Sequence, residues 1–225
     1  MSMESHHATV QGPVPVLQIV GYKNSGKTTL ACRLIRALST QGIRVGSAKH
    51  DAHHFQLDDP GTDSSRHLLH GAIETVLTSS EATRIMRKSE TSLEEIVQSM
   101  YGKVDLLIAE GFKSADYPKI ALIRNVNEMI NLRSQATNIY MWLSWEEDAN
   151  MKSVTSVVSK NTTPVLLLRD QALIDQEVLN LALSLLQSNI GIPDIREGDS
   201  LTGGAHCADW NNTGRGTEFP DEGSE

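Results

Sequence analysis

"IVGYKNSGKTTL", Ile19 to Leu30, decides the fold of this chain. Gly21, four further residues, then Gly26, Lys27 and Thr28 satisfy the pattern G-x-x-x-x-G-K-[ST]. The chemistry of that spacing is anion binding. Glycines let the backbone curl so that its N–H groups converge on phosphate oxygens, and the helix that follows presents its positive end to the same anion. Lys27 is placed to reach the β- and γ-phosphates, and the Thr28 hydroxyl to ligate Mg²⁺. The segment thus offers Gly21, Asn24, Ser25, Gly26, Lys27, Thr28 and Thr29 as nucleotide-binding residues.

The flanks decide between a phosphate cradle and a mere glycine-rich turn. "VLQIV", Val16 to Val20, is a short apolar run of the kind a buried strand requires. After the motif, Leu30, Leu34 and Leu38 recur with Ala31 and Ile35 at helical spacing, and Gly42 supplies a stop. Cys32 falls within this helix pattern and reads as a small core residue. "IRVGSA", Ile43 to Ala48, reads as a second strand, completing a βαβ unit that crosses over into a parallel sheet. A chance motif match in such a chain is on the order of one in a hundred, and here the context fits as well. Lys23 is one position away from the place where some P-loop ATPases carry an extra lysine; that place is Tyr22, so Lys23 reads as a solvated side chain.

The remaining chain repeats the strand–helix alternation. A short helix is predicted over Ser64–His70, with Asp63 as its cap, and a strand over Ile73–Leu77. Ser92 and Glu95 form a capping box ahead of Ile96, Val97 and Met100. "DLLIA" (Asp105–Ala109) has the near-continuous apolar character of a strand covered on both faces. Further strands are predicted at Lys119–Arg124, Asn138–Leu143 and Pro164–Leu168, a short helix around Val154–Val158, and a closing helix over Glu177–Gln187. The expected fold is a P-loop NTPase-like α/β domain, a doubly wound and mostly parallel sheet with flanking helices, binding ligands at the carboxyl ends of its strands. The expected division is a flexible N-terminal segment (1–14), a P-loop GTP-binding domain (15–192) and a disordered tail (193–225), since little apolar sequence follows Pro193.

A P-loop needs a second carboxylate near its Mg²⁺. Asp105 opens its strand and Glu110 ends it, roughly 16 Å away at strand rise. Phosphates bind at the carboxyl end, so Thr28 and Glu110 are the metal-site candidates, with Gly111 leaving room for a γ-phosphate. Asp105 reads as a residue facing water. "KHDAHHFQLDDPGTDSSRH" (Lys49–His67) concentrates the histidines, with His50, His53, His54, His67 and His70 beside Asp51, Asp58, Asp59 and Asp63. It reads as a solvated polar loop; no cysteine pair accompanies the histidines. Its start abuts the P-loop mouth, where Lys49, His50 and Asp51 can meet the nucleotide or its metal.

Bulk properties narrow the classes. The 225 residues carry a net charge of −8, which disfavours a nucleic-acid or anionic-membrane surface. Two cysteines, Cys32 and Cys207, do not make a disulfide scaffold, so a reducing cytoplasm is expected. The opening segment lacks the look of a signal peptide, and no apolar run reaches membrane-spanning length.

Taken together, "GYKNSGKTTL", "AKHDAHHFQLDDPGTDSSRHLLHGA" and "DLLIAEGFKSADYPKIALIR" resemble the molybdopterin-guanine dinucleotide biosynthesis adapter family, MobB, over about Val16–Arg124. The specific features are the Lys-His start, the D-x-G-x-D-S pattern at Asp59, Gly61, Asp63 and Ser64, the Gly71-Ala72 pair and the E-G-F-K run. The resemblance implies a GTP-binding homodimer, at most a slow GTPase. It implies as partners the molybdenum cofactor guanylyltransferase, which joins GMP to the pyranopterin cofactor, and the molybdenum-insertion protein. It carries Gly26, Lys27, Thr28 and Thr29 over as phosphate contacts and Glu110 as the Mg²⁺ partner; Lys49, His50, Asp51 and Lys113 match family motifs. Thr62 departs from it, since the family often has lysine there, and no N-K-x-D guanine-reading motif occurs. Two other readings compete: a small P-loop kinase, for which Arg84 and Arg87 are the only close arginine pair in a lid-like loop, and a GTPase metallochaperone using the histidines.

Overall fold

The computed structural model describes residues 13–51, 55–146 and 163–190, all within the unit Met1–Ile192. The predicted helix around Val154–Val158, His53, His54, Cys207 and the tail from Pro193 lie outside the described residues.

Six strands form one sheet: β1 (Val16–Gly21), β2 (Val45–Lys49), β5 (Leu106–Glu110), β6 (Lys119–Ile123), β7 (Ile139–Ser144) and β8 (Val165–Leu167). Their order is β2-β5-β1-β6-β7-β8, and every described pairing is parallel. The chain enters the sheet at β1 and then builds outward in both directions, so the carboxyl end of β1 is the point where strand order reverses. Ligand clefts form at such points because the loops on either side diverge.

Alternation along the strands assigns the two faces. Leu17, Ile19, Leu106, Ile108, Ile120 and Leu122 pack against α1 (Lys27–Thr40) through Leu30, Ala31, Leu34 and Leu38. The C-terminal helix α5 (Gln171–Ile190) joins them through Ile174, Val178 and Ala182. On the opposite face, Val20, Ala121, Ile123 and Trp142 pack on Met129 and Leu132 of α4 (Val126–Arg133). Leu107 and Ala109 pack there on Leu93 and Val97 of α3 (Leu93–Ser99). The period of two that defines a strand is what sorts these residues. It also fixes Glu110 on the α1 face, in step with Leu106 and Ile108, and Gln18 and Lys119 on the other.

A separate antiparallel hairpin, β3 (Glu74–Thr78) with β4 (Thr83–Arg87), stands apart from the main sheet. It adjoins α2 (Asp63–Leu69). Thr75 and Met86 are buried at its root, while Val76, Leu77 and Ile85 are exposed.

Several expectations change. Arg84 and Arg87 belong to strand β4 rather than to a lid loop, and each is paired, with Asp58 and Glu74 respectively. The cap of α2 is Thr62, whose hydroxyl accepts from the Ser65 N–H, and Asp63 is the first helical residue. Cys32 is exposed, because the buried stripe of α1 runs through Leu30, Ala31, Leu34 and Leu38 and position 32 turns away from it. Asp105 is held by Arg44, with Arg44 Nη2 2.6 Å from its Oδ1, at the far end of β5 from the cleft. The closing helix begins at Gln171, six residues before its expected start, and α4 was not foreseen.

Candidate functional site

The turn between β1 and α1 begins with a glycine that nothing larger could replace. A β-carbon at Gly21 would lie 2.5 Å from the Leu122 carbonyl oxygen of β6, so the P-loop starts pressed against its neighbouring strand. Asn24 takes a left-handed conformation (φ 60°), which asparagine tolerates better than most residues. Gly26 is the cap position of α1, and no side chain caps that end. The uncapped N–H groups of the first turn are therefore left for an anion.

Thr28 and Glu110 meet beneath this loop. Thr28 Oγ1 donates to the Glu110 carboxylate, 2.8 Å from Oε2 and 3.0 Å from Oε1. Lys49, the last residue of β2, brings its Nζ to 3.3 Å from Glu110 Oε1 and 3.5 Å from Thr28 Oγ1. Glu110 is only 9% exposed, so its charge acts in a weakly screened setting. Lys27 folds back along the loop, donating to the Tyr22 carbonyl at 2.7 Å. Burial pulls its pKa below the usual lysine value; Glu110 opposes this, and Lys49 and Lys113 add to it.

The residues after β5 are held in an unusual path. Gly111 (φ 89°) and Phe112 (φ 52°) are both left-handed. A β-carbon at Gly111 would sit 3.0 Å from the His50 carbonyl oxygen and 3.2 Å from its Cβ. His50 thus occupies the space that a side chain at Gly111 would need, and Gly111 itself lines the cleft beside the P-loop. Two buried polar residues of the opposite face support this loop. Gln18 Nε2 donates to the carbonyls of Gly111 (3.2 Å) and Phe112 (2.8 Å), and Lys119 Nζ donates to those of Ala115 and Tyr117. His50 is fixed as well, with its N–H donating to the Glu110 carbonyl at 2.9 Å and its ring 5.2 Å from that of Phe112.

All the residues singled out from sequence, Gly21, Asn24 to Thr29, Lys49 to Asp51 and Glu110, line one cleft of about 1400 Å³. Of its far wall, the family resemblance marked Lys113, while Glu90 to Glu94 before and within α3, Phe112, Ser114, Ala115 and Gln135 were not foreseen as cleft residues. Lys113 stands at that wall with its Nζ 4.6 Å from the centre of the Tyr22 ring and 3.2 Å from Gln135 Oε1. The E-G-F-K run was the available signal. Elsewhere, Asp58 is bound by the hydroxyls of Thr62 and Ser64 and by Arg84, so the acidic part of the histidine-rich segment builds structure. Among the described residues, no group of three or more His, Cys, Asp and Glu could hold a metal ion.

The parallel sheet with an uncapped P-loop at its switch point defines a nucleotide-binding α/β protein of the P-loop NTPase fold. Comparison with known proteins narrows this. Residues 16–145 match the family model described as "Molybdopterin guanine dinucleotide synthesis protein B". The chain belongs to that family, MobB. The adapter protein of Escherichia coli is 36% identical over 117 residues, half of this chain and 67% of that protein. The probable adapter of Bacillus subtilis is 32% identical over 130 residues, covering 56% of this chain and 74% of that one. Among solved structures, a MobB homologue from Bacillus stearothermophilus is 26% identical with a TM-score of 0.56, covering 75% of this chain and 98% of that one. Bacillus subtilis MobB, 24% identical with a TM-score of 0.59, shares the fold over 76% of this chain and 97% of that one.

Proposed function

We propose that this chain is a GTP-binding adapter in molybdopterin guanine dinucleotide biosynthesis, holding Mg²⁺–GTP for a partner nucleotidyltransferase that joins GMP to the pyranopterin. The observation that carries the nucleotide part is the Thr28–Glu110 contact below an uncapped helix end. The donor set fits a hard cation that keeps waters and takes oxygen ligands from one hydroxyl, one carboxylate and phosphates. Bound there, Mg²⁺ would offset phosphate charge. Thr28 would ligate it and Glu110 would hold its waters, while Gly21, Asn24, Ser25, Gly26, Lys27 and Thr29 would take the phosphates. The Lys49 ammonium, lying against both Thr28 and Glu110, marks where this site draws positive charge.

The adapter reading is favoured over the kinase and the metallochaperone. Arg84 and Arg87 are engaged in the hairpin, away from the cleft, and the described histidines form no metal cluster. The chain then acts as a homodimer in the cytoplasm, beside the guanylyltransferase and the molybdenum-insertion protein, with the main chemical step left to the partner. No helix among the described residues is long and apolar enough to cross a membrane.

Calorimetric titration of the full chain with GTP and ATP, with and without Mg²⁺, tests the reading. GTP should bind in preference and Lys27→Ala should abolish binding. Tight ATP preference with transfer to a small acceptor would overturn the adapter assignment, and unchanged affinity in Lys27→Ala would overturn the site.

A further inference from the structure

The nucleotide reading leaves the base without a reader, and the sheet order says where to look. Glu110 ends β5, on one side of β1, so on the reading above the metal and the terminal phosphates would lie on that side. A nucleotide so placed would extend its nucleoside the other way, past β6 toward the carboxyl end of β7, next to the cleft lining rather than within it. There the chain places Ser144, Trp145 and Glu146.

Trp145 is 57% exposed, yet it is fixed. Its indole Nε1 donates to the Ser25 carbonyl of the P-loop at 2.9 Å, and its backbone N–H donates to the Ile123 carbonyl at 3.1 Å. A β-carbon on Gly26 would lie 3.6 Å from Trp145 Cζ2, so the ring rests against the phosphate loop itself. The next residue is set by Ser144, which is fully buried. Its hydroxyl donates to the Glu146 carbonyl at 2.8 Å and accepts from the Glu146 N–H at 3.2 Å. The result is a rigid aromatic face with an exposed carboxylate on the adjacent residue, beside the loop that takes the phosphates.

We propose that Trp145 and Glu146 read the nucleobase, Trp145 by stacking and Glu146 by accepting hydrogen bonds from guanine N1–H and the 2-amino group. This rests on the GTP reading above. A carboxylate is an acceptor only, so it matches the two adjacent donors of guanine. Adenine has a lone pair at N1 and no 2-amino group, so the same carboxylate meets an acceptor there. Sites built around such complementary hydrogen bonds discriminate more strongly than apolar pockets do.

The test is calorimetry of the full chain with GTP, ITP, ATP and inorganic tripolyphosphate, each with Mg²⁺. Trp145→Ala should weaken GTP by about ten- to a hundredfold, as loss of one base stack does, while leaving tripolyphosphate unchanged. Trp145→Phe should retain most of the affinity. Glu146→Gln should lower the GTP-to-ATP ratio, and ITP, lacking the 2-amino group, should bind the wild type more weakly than GTP. Equal losses for GTP and tripolyphosphate in Trp145→Ala would show that the ring only props the P-loop, overturning the proposal. GTP selectivity that survives both Trp145→Ala and Glu146→Gln would overturn it while leaving the GTP reading standing. A wild type that binds GTP and ATP equally, or neither, would overturn both.

Discussion

Thr28 and Glu110, 82 residues apart in sequence, share one hydrogen-bonded contact: Thr28 Oγ1 lies 2.8 and 3.0 Å from the two carboxylate oxygens. The contact follows from two periodicities meeting. Strand alternation puts Glu110 on the α1 face, and Thr28 is the second residue of α1, whose axis starts over the same strand end. Removing either group should cost the Mg²⁺-dependent part of nucleotide affinity. Glu110→Gln is expected to weaken Mg²⁺–GTP by about tenfold, or ~1.4 kcal/mol, with little change when the metal is chelated. Thr28→Ala should behave alike, and the double variant should lose less than the sum, because the two residues act on one ion. Calorimetry with and without EDTA reads all three, and equal losses in both conditions would refute the shared role.

Gly111 is a second sensitive point. Its φ of 89° suits glycine, and His50 fills the space a side chain would need. Gly111→Ala should destabilise the protein by about 1–3 kcal/mol through backbone strain and displacement of His50. The displaced backbone would also disturb the His50 N–H to Glu110 carbonyl bond, so nucleotide affinity should fall with stability. Denaturant unfolding alongside GTP titration separates the two effects.

How much of this was readable in advance differs by element. The P-loop, the central strands and the capping box at Ser92 carry local signals, and the structure places each where its sequence does. Glu110 was found by reasoning about which end of a strand faces phosphate. Apart from Lys113, which the E-G-F-K run marks, the far wall of the cleft was not found, because Glu90, Ser92 and Gln135 converge on it only through the sheet topology and no single window contains them. The lid reading of Arg84 and Arg87 failed because "TRIMR" pairs across a turn with "ETVLT", and one strand of a hairpin alone resembles a polar loop. Cys32 was misassigned because membership of an apolar helix does not specify which side a residue faces.

Asp58 supplies a pH-dependent prediction. The Ser64 hydroxyl holds its carboxyl below the ordinary aspartate value; burial opposes this, and Thr62, the Asp59 N–H and Arg84 assist. A carboxyl with a depressed pKa in the folded protein stabilises it above the ordinary value. That contribution disappears as pH falls from about 3.8 through the folded-state value. Wild-type stability should therefore fall across that acid window, and Asp58→Asn should show a shallower fall from a lower starting point. Because Asp58 ties Arg84 of β4 to the start of α2, hydrogen exchange in the hairpin should quicken in the variant. Parallel acid profiles for the two proteins would contradict the assignment.

The hairpin bears on the proposed dimer. A two-stranded sheet is marginal on its own in water, and this one pairs with no other strand among the described residues. It exposes Val76 at 55% and Ile85 at 63%, cross-strand partners that form an apolar patch on one face, with Leu77 at 49% on the other. A second copy is the occupant that fits, since its own hairpin offers the same apolar face and the same unpaired strand edges, as a two-fold contact requires. None of these residues lines the nucleotide cleft. Ile85→Lys and Val76→Asp are therefore expected to yield monomers in sedimentation velocity at concentrations where the wild type is a dimer. Both variants should still bind GTP with unchanged affinity. A wild type that stays monomeric at tens of micromolar, or variants that remain dimeric, would place the interface elsewhere or remove it.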